Sequence, residues 1–375
     1  FYDGQYNSNV GVYEQLEYTN GSNVYAVNYT QTETVNDNLT SAKLTINGTS
    51  ADNSISLGSG SFTVNTVNTP NNTATVLYSG KTDLTIDGST GSDVVTGVIA
   101  STISTGVLTF SNVDKVGSAG NAIGTSIVQI ELANVTGDVF IDEQNRIGIG
   151  QLVNFTGQMT LTNLTGDITD KADLVSGASF ELQAQNGSIV LDDNNELSGV
   201  MALSASSDIT LSNQIDAHLG IVGAQNLTIT SGGNITQSGA LSVTGLTTLT
   251  GNDITLTDSG NDLNSVDVIA AQNVTLTDTD GIALQSTAIT SGLTVTAGGD
   301  ITNSAALNVD GATTLTASGN DITLTDSSND LNSVDVIAAQ DVTLTDTDDI
   351  ALQSTTIAGD LIVVAGGDIT NSGAL

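Results

Sequence analysis

The sequence predicts an all-β fold, a right-handed parallel β-helix, and three observations carry that prediction. The first is repetition: residues 251–318 begin again at Gly319, and 251–307 laid on 319–375 gives 47 identities in 57 positions. A period that long, from Gly251 to Gly319, exceeds one supersecondary unit, so a shorter one is expected within it. The second is that shorter rhythm. An Asp or Asn following Gly, Gln or Asn, and opening a run of the type Ile/Val-Thr-Leu-Thr, stands at Asp253, Asn273, Asp300, Asp321, Asp341 and Asp368, at intervals of 20, 27, 21, 20 and 27. On this reading each long repeat is about three turns of a β-solenoid, with one marker to a turn. The third is alternation: Ile254 and Leu256, Val274 and Leu276, Ile282 and Leu284, Leu293 and Val295 are spaced by single polar residues. Side chains of a strand change face at every residue, so this is the signature of a half-buried strand. Thr, Val and Ile suit the pleated surface, and the Gly, Asn, Asp and Ser between runs suit corners.

Taken in order, residues 1–40 are distinct. They hold six of the seven tyrosines, Tyr2, Tyr6, Tyr13, Tyr18, Tyr25 and Tyr29, and two strand-like runs around Asn20-Gly21, a good hairpin dipeptide. This segment reads as a cap on the first turn, or as an arm through which one molecule assembles with the next. Residues 41–116 have β-helix composition at irregular spacing, with longer loops around Pro70 and Ser89–Ser92, and read as irregular first turns. Residues 117–375 read as the regular parallel β-helix. The older markers Asp138, Asp167, Ser188, Asp208 and Asn234 keep the rhythm while their surroundings diverge. Leu375 matches Leu307 within a repeat, which gives the expectation that the native coil continues beyond it.

Charge removes two classes of partner. Five cations stand against 41 acids, a formal charge of −36, and no Lys or Arg follows Lys171. Binding to phosphates rests on neutralising cations, so nucleic acid and anionic lipid are not expected partners. No apolar run has the length of a membrane helix, so membrane insertion is not expected either. There is no Cys and a single His, His218, which leaves thiolate chemistry out and a Ser–His–Asp arrangement poorly supported. Enzymatic activity is therefore not expected.

Two patterns remain. Asp258, Asp278, Asp326 and Asp346 stand five residues after their markers, with Asp280 and Asp348 close by. Stacked turns about 4.8 Å apart bring such carboxylates together, and like charges that close call for a proton or a cation. An oxygen-rich Ca²⁺ site is one reading; a solvated acidic face is the other. No other cofactor is implied. The pairs Thr255/Thr257, Thr275/Thr277, Thr323/Thr325 and Thr343/Thr345 resemble the threonine ladders of ice-binding solenoids, but Ile301-Thr302-Asn303 is expected to break the ladder in the intervening turn. The Asn-x-Ser/Thr triplets at Asn134, Asn163, Asn226 and Asn273 follow from composition.

The repeats GGDITNSAALNVDGATTLTASGNDITLTDS and AAQNVTLTDTDGIALQST resemble those of filamentous-haemagglutinin-type bacterial giant exoproteins and adhesins, over roughly residues 130–375. The resemblance implies a right-handed parallel β-helix, export to the bacterial cell surface or medium, and roles in adhesion, biofilm or extracellular fibres. The first 115 residues depart from that pattern and lack its Asn-Pro-Asn motifs; Thr69-Pro70-Asn71 is the nearest approach. The expected function is thus an extracellular structural or adhesive β-solenoid, a surface fibre, stalk or adhesin shaft that self-assembles through its N-terminal arm. Its expected partners are further copies of itself or a surface glycan. The alternative is a polysaccharide-binding or polysaccharide-degrading β-helix, which predicts one groove of convergent acids and aromatics, whereas Phe180 is the last aromatic in the chain.

Overall fold

The computed structural model describes residues 14–20, 23–29, 33–37, 43–48, 51–58, 61–66, 73–78, 81–97 and 102–374, and among them every regular element is a strand. The chain folds as two compact units, Phe1–Leu164 and Thr165–Leu375, each a parallel β-solenoid.

In the first unit the strands Glu14–Asn20 and Asn23–Tyr29 form an antiparallel hairpin, with Asn20 opposite Asn23 and Tyr18 opposite Tyr25. Its first strand also lies antiparallel along Lys43–Asn47, so the edge of the earliest coil strand in this column is paired. From there the coil is parallel. Leu44 is in register with Leu84, Leu84 with Leu108, Leu108 with Ile130 and Ile130 with Ile149, a column of inward side chains. Each interval in that series is shorter than the one before it, so the turns tighten along the chain. The first interval is long because Ser61–Thr66 turns back antiparallel between Asn53–Gly58 and Thr73–Tyr78, while Asn53–Gly58 itself stays in the coil, parallel to Val94–Gly97; this accounts for the irregular spacing of this region.

The second unit is regular. One column runs through Ile235, Ile254, Val274, Leu293, Thr313, Val334, Leu352 and Asn371, at intervals of 19, 20, 19, 20, 21, 18 and 19. A second runs through Ile189, Ile209, Leu227, Thr247, Val266, Leu284 and Asn303 at 20, 18, 20, 19, 18 and 19. A turn of this unit is therefore close to twenty residues throughout, and the longer marker intervals are not long turns. Three turns from Ile254 end at Thr313, and the repeat equivalent Ile322 lies nine residues further, in register with Ile301 and Val342. One sequence repeat is thus three turns and nearly half of another. Consecutive repeats place the same residues on different faces of the coil.

The inward positions are mostly aliphatic, and Ile254, Leu256, Val274, Leu276, Leu293 and Val295 are at most 1% exposed. At roughly 1.5–3 kcal/mol for each fully buried side chain of this size, the column is the main favourable contribution to stability.

Candidate functional site: the Asp and Asn corners and the threonine face

The marker residues have a direct structural role. In most of them, and in Asp216, a side-chain oxygen accepts the backbone N–H at the same place one turn later, whereas Asp208 accepts the Asn226 side-chain amide (2.8 Å). Asp216 Oδ1 accepts from Asn234 (2.8 Å), Asn234 Oδ1 from Asp253 (3.1 Å), Asp253 Oδ1 from Asn273 (3.3 Å) and Asn273 Oδ1 from Gly292 (3.2 Å). On another face Asp300 Oδ1 accepts from Asp321 (2.9 Å), Asp321 Oδ1 from Asp341 (3.1 Å) and Asp341 Oδ1 from Asp360 (2.7 Å). Asp and Asn recur there because a short side chain with an acceptor oxygen is what a strand-opening N–H needs, and the half-turn offset moves the marker from one chain of ties to the other.

A second set of acids and amides points inward. Six leucine N–H groups, five of them at or next to a strand start and Leu197 at the end of Ile189–Leu197, each donate to a side chain of the following turn: Leu174 to Asn195, Leu197 to Asn213, Leu241 to Asn261, Leu263 to Asp278, Leu307 to Asn329 and Leu331 to Asp346, at 2.7–2.9 Å. All six acceptors are at most 3% exposed. A buried backbone N–H left unmade would cost about 1–3 kcal/mol, so these side chains close the corner where the backbone ladder is interrupted. Asp278 and Asp346 use their other oxygens on the N–H groups of Asp280 and Asp348, both at 3.0 Å. Burial pushes the Asp278 carboxyl up to about 6 against the pull of those N–H donors, and moves Asp346 in the same direction.

In the first unit the corner is an asparagine ladder. Asn112, Asn134 and Asn154 have φ of 51°, 54° and 52°, a left-handed conformation that Asn tolerates better than most residues. Asn112 donates its amide to Asp87 (2.9 Å), Asn134 to Asn112 (2.8 Å) and Asn154 to Asn134 (2.8 Å). Nearby, Glu143 is fully buried, accepts from Thr125 Oγ1 (2.6 Å) and the Ile127 N–H, and is pushed up by burial.

The six carboxylates proposed from sequence as calcium ligands do not share one environment. Asp278 and Asp346 face inward, Asp258 and Asp326 are half-buried and accept from Gly260 and Ser328 two residues on (2.9 Å each), and Asp280 and Asp348 are exposed. Among the described residues no three His, Asp or Glu side chains converge on a point that would hold a metal ion. Of the tyrosines, Tyr2, Tyr6 and Tyr13 lie outside the described residues, while Tyr18, Tyr25 and Tyr29 are on the hairpin strands. His218 is hydrogen-bonded through Nδ1 to Thr236 Oγ1, one turn later, at 2.7 Å. Of the Asn-x-Ser/Thr triplets, Asn134, Asn226 and Asn273 hold inter-turn hydrogen bonds and Asn163 is buried, so these amides are structural.

One expectation is overturned. Ile301-Thr302-Asn303 does not interrupt the threonine ladder, because it belongs to another face, in register with Ile282-Ala283-Leu284. The turn that follows Thr275 supplies Thr294 and Thr296 instead, and the next supplies Thr314 and Thr316. The marker changes face between Asn273 and Asp300, whereas a step of one turn, about twenty residues, leads from Thr275 to Thr294.

A family of repeats of unknown function, DUF5649, matches residues 136–204, 205–270, 271–338 and 339–375, well over half of the chain. The chain belongs to this repeat family. No curated protein and no solved structure matches it. The three complete matched segments are nearly equal in length and agree with a unit of three turns and nearly half of another. The last matched boundaries, at residues 270/271 and 338/339, fall just after the outward bulges at Ile269 and Ile337.

Proposed function

We propose that this repeat protein is an extracellular structural or adhesive β-solenoid, a shaft or fibre segment of the kind found in filamentous-haemagglutinin-type exoproteins. The observation that carries the reading is the chain of side-chain ties from Asp300 through Asp321 and Asp341 to Asp360, which adds one side-chain hydrogen bond per turn to the backbone ladder along the axis. Such a coil resists extension and bending along its axis, and near-identical repeats lengthen it without new packing problems. An acidic, cation-poor surface of charge −36 keeps such coils apart in dilute medium. Assembly end to end then falls to the tyrosine-rich residues 1–40, and further copies or a surface glycan are the partners.

The test is electron microscopy of the purified chain in millimolar Ca²⁺ and again after chelation, with and without residues 1–40. Filaments with a regular subunit repeat, lost on deleting 1–40, are the expected result for a self-assembling fibre; isolated stiff rods are the result for a shaft. Collapsed or branched particles would sink both. Order that disappears only on chelation would assign calcium to the acidic corners.

A further inference from the structure

The face of the second unit that carries Thr255 has a regularity that neither the repeat family nor a mechanical role requires. Thr236, Thr255, Thr275, Thr294 and Thr314 are in continuous lateral register over five successive turns. Beside them Thr277, Thr296 and Thr316 form a second column in register over three turns, and Thr257 precedes it in sequence. The pairings from Asp253–Leu256 through Asn273–Asp278 and Leu293–Ala297 to Leu307–Thr316 show no register shift, whereas the next pairing has two. The array therefore stops where the strand bulges at Ile337 and where Asp335 replaces threonine in the column.

Two spacings follow from strand geometry: about 4.8 Å between turns, and about 6.6 Å between outward residues of one strand. Beneath the array Val274, Leu276, Leu293, Val295 and Leu315 are fully packed, so the backbone that sets those spacings is held from below. The eight outward positions are all threonine in a chain of −36, and the acids next to them are engaged locally: Asp253 accepts from the Asn273 amide, Asp258 from the Gly260 N–H, and Asp278 turns inward to the N–H groups of Leu263 and Asp280. Thr255, Thr257, Thr275, Thr277, Thr294, Thr296, Thr314 and Thr316 are half-buried or exposed on this face. Each offers a hydroxyl and a methyl group to solvent.

The geometry points to ordered water as the ligand: this face adsorbs to ice. A surface that binds a crystal of water has to repeat at two fixed distances, hold its groups still, and present hydroxyls that join the lattice beside methyls that shed disordered water. The threonine array does all three. A protein or glycan partner has no need of eight identical side chains, and a charged partner finds nothing here to pair with. Each hydroxyl contributes weakly, on the order of 1 kcal/mol, and only shared spacing lets the contributions add. The inference does not rest on the shaft or fibre reading, since it holds for a single unassembled chain.

The test is partition of the full 375-residue chain into a slowly growing ice hemisphere, with an acidic protein of similar size as control. The wild type is expected to be enriched in the ice fraction, with Thr275→Lys and Thr294→Lys lowering that enrichment at least tenfold. Thr343→Lys, on another face, where the column Thr302, Thr323 and Thr343 spans only three turns between Ala283 and Ile362, is expected to leave it unchanged. Because lysine alters the surface charge, the double variant T275V/T294V, which keeps shape and strand propensity, is expected to lose several-fold with an unchanged melting temperature. Exclusion of the wild type from ice overturns the inference. Equal losses in Thr294→Lys and Thr343→Lys overturn it as well, as does a dimer that dissociates on Thr294→Lys without any ice uptake, which would assign the face to a second copy of the chain.

Discussion

At the residue scale the same two chemical groups do different work according to which way they face. Asp253, Asp321 and Asp341 point outward and tie neighbouring turns while staying solvated. Asp278 points inward, where desolvation opposes its charge and raises its carboxyl from the ordinary 3.8 to about 6. A carboxyl raised on folding contributes most in its protonated form, so its contribution is fully present below about pH 4 and is lost as pH rises through about 6. The chain is therefore expected to melt at a higher temperature near pH 5 than near pH 7.5. Asp278→Asn should reduce that slope and raise stability at neutral pH by about 1 kcal/mol, since asparagine already fills the equivalent corner at Asn261 and Asn329. Thermal melts across that range decide it, and an Asp278→Asn slope equal to wild type would remove the buried carboxyl from the explanation. Asp and Asn were visible in the sequence as markers, but their direction was not, because the one-dimensional pattern gives no sign of which corner N–H lacks a backbone partner.

At the element scale the corners matter more than the strands. Strand runs such as Asn273–Asp278 were legible from alternation alone, since inward Val274 and Leu276 and outward Thr275 and Thr277 follow the pleat. The asparagine ladder of Asn112, Asn134 and Asn154 was not legible, because left-handed φ leaves no trace in a composition already rich in Asn. Replacing Asn134 by Ala removes an amide in the middle of the ladder and leaves in the left-handed turn a residue that tolerates that conformation less well than Asn; a loss of about 1–3 kcal/mol is expected. Asn134→Gly removes the amide but relieves the turn, so it should be the milder of the two. Urea unfolding of the two variants tests this, and an Ala variant as stable as the Gly variant would show that the conformation at this corner is not what asparagine supplies. Gly298 and its repeat equivalent Gly366 illustrate the other solution at a corner: a Cβ there would collide with the carbonyl oxygen of Thr279 or Thr347 in the turn below.

At the scale of the whole molecule, 41 acids and five cations make self-repulsion the chief unfavourable electrostatic contribution. Raising the salt from about 0.05 to 0.5 M shortens the screening length roughly threefold and is expected to raise the melting temperature. A salt-independent melt would mean that the outward aspartates are already neutralised by bound cations. The sequence by itself determined the class of fold, the inward aliphatic columns and the repeat, because strand alternation and repetition are one-dimensional properties. Only the tertiary structure decided the length of a turn, close to twenty residues, and hence that a repeat advances by three turns and nearly half of another. That partial turn sends equivalent residues to different faces, separates Ile301-Thr302-Asn303 from the threonine column, and brings Thr294 and Thr314 into it. The physical reason is that hydrogen bonding pairs residues by position around the coil, and a sequence motif that has moved to the far side still looks the same in the chain.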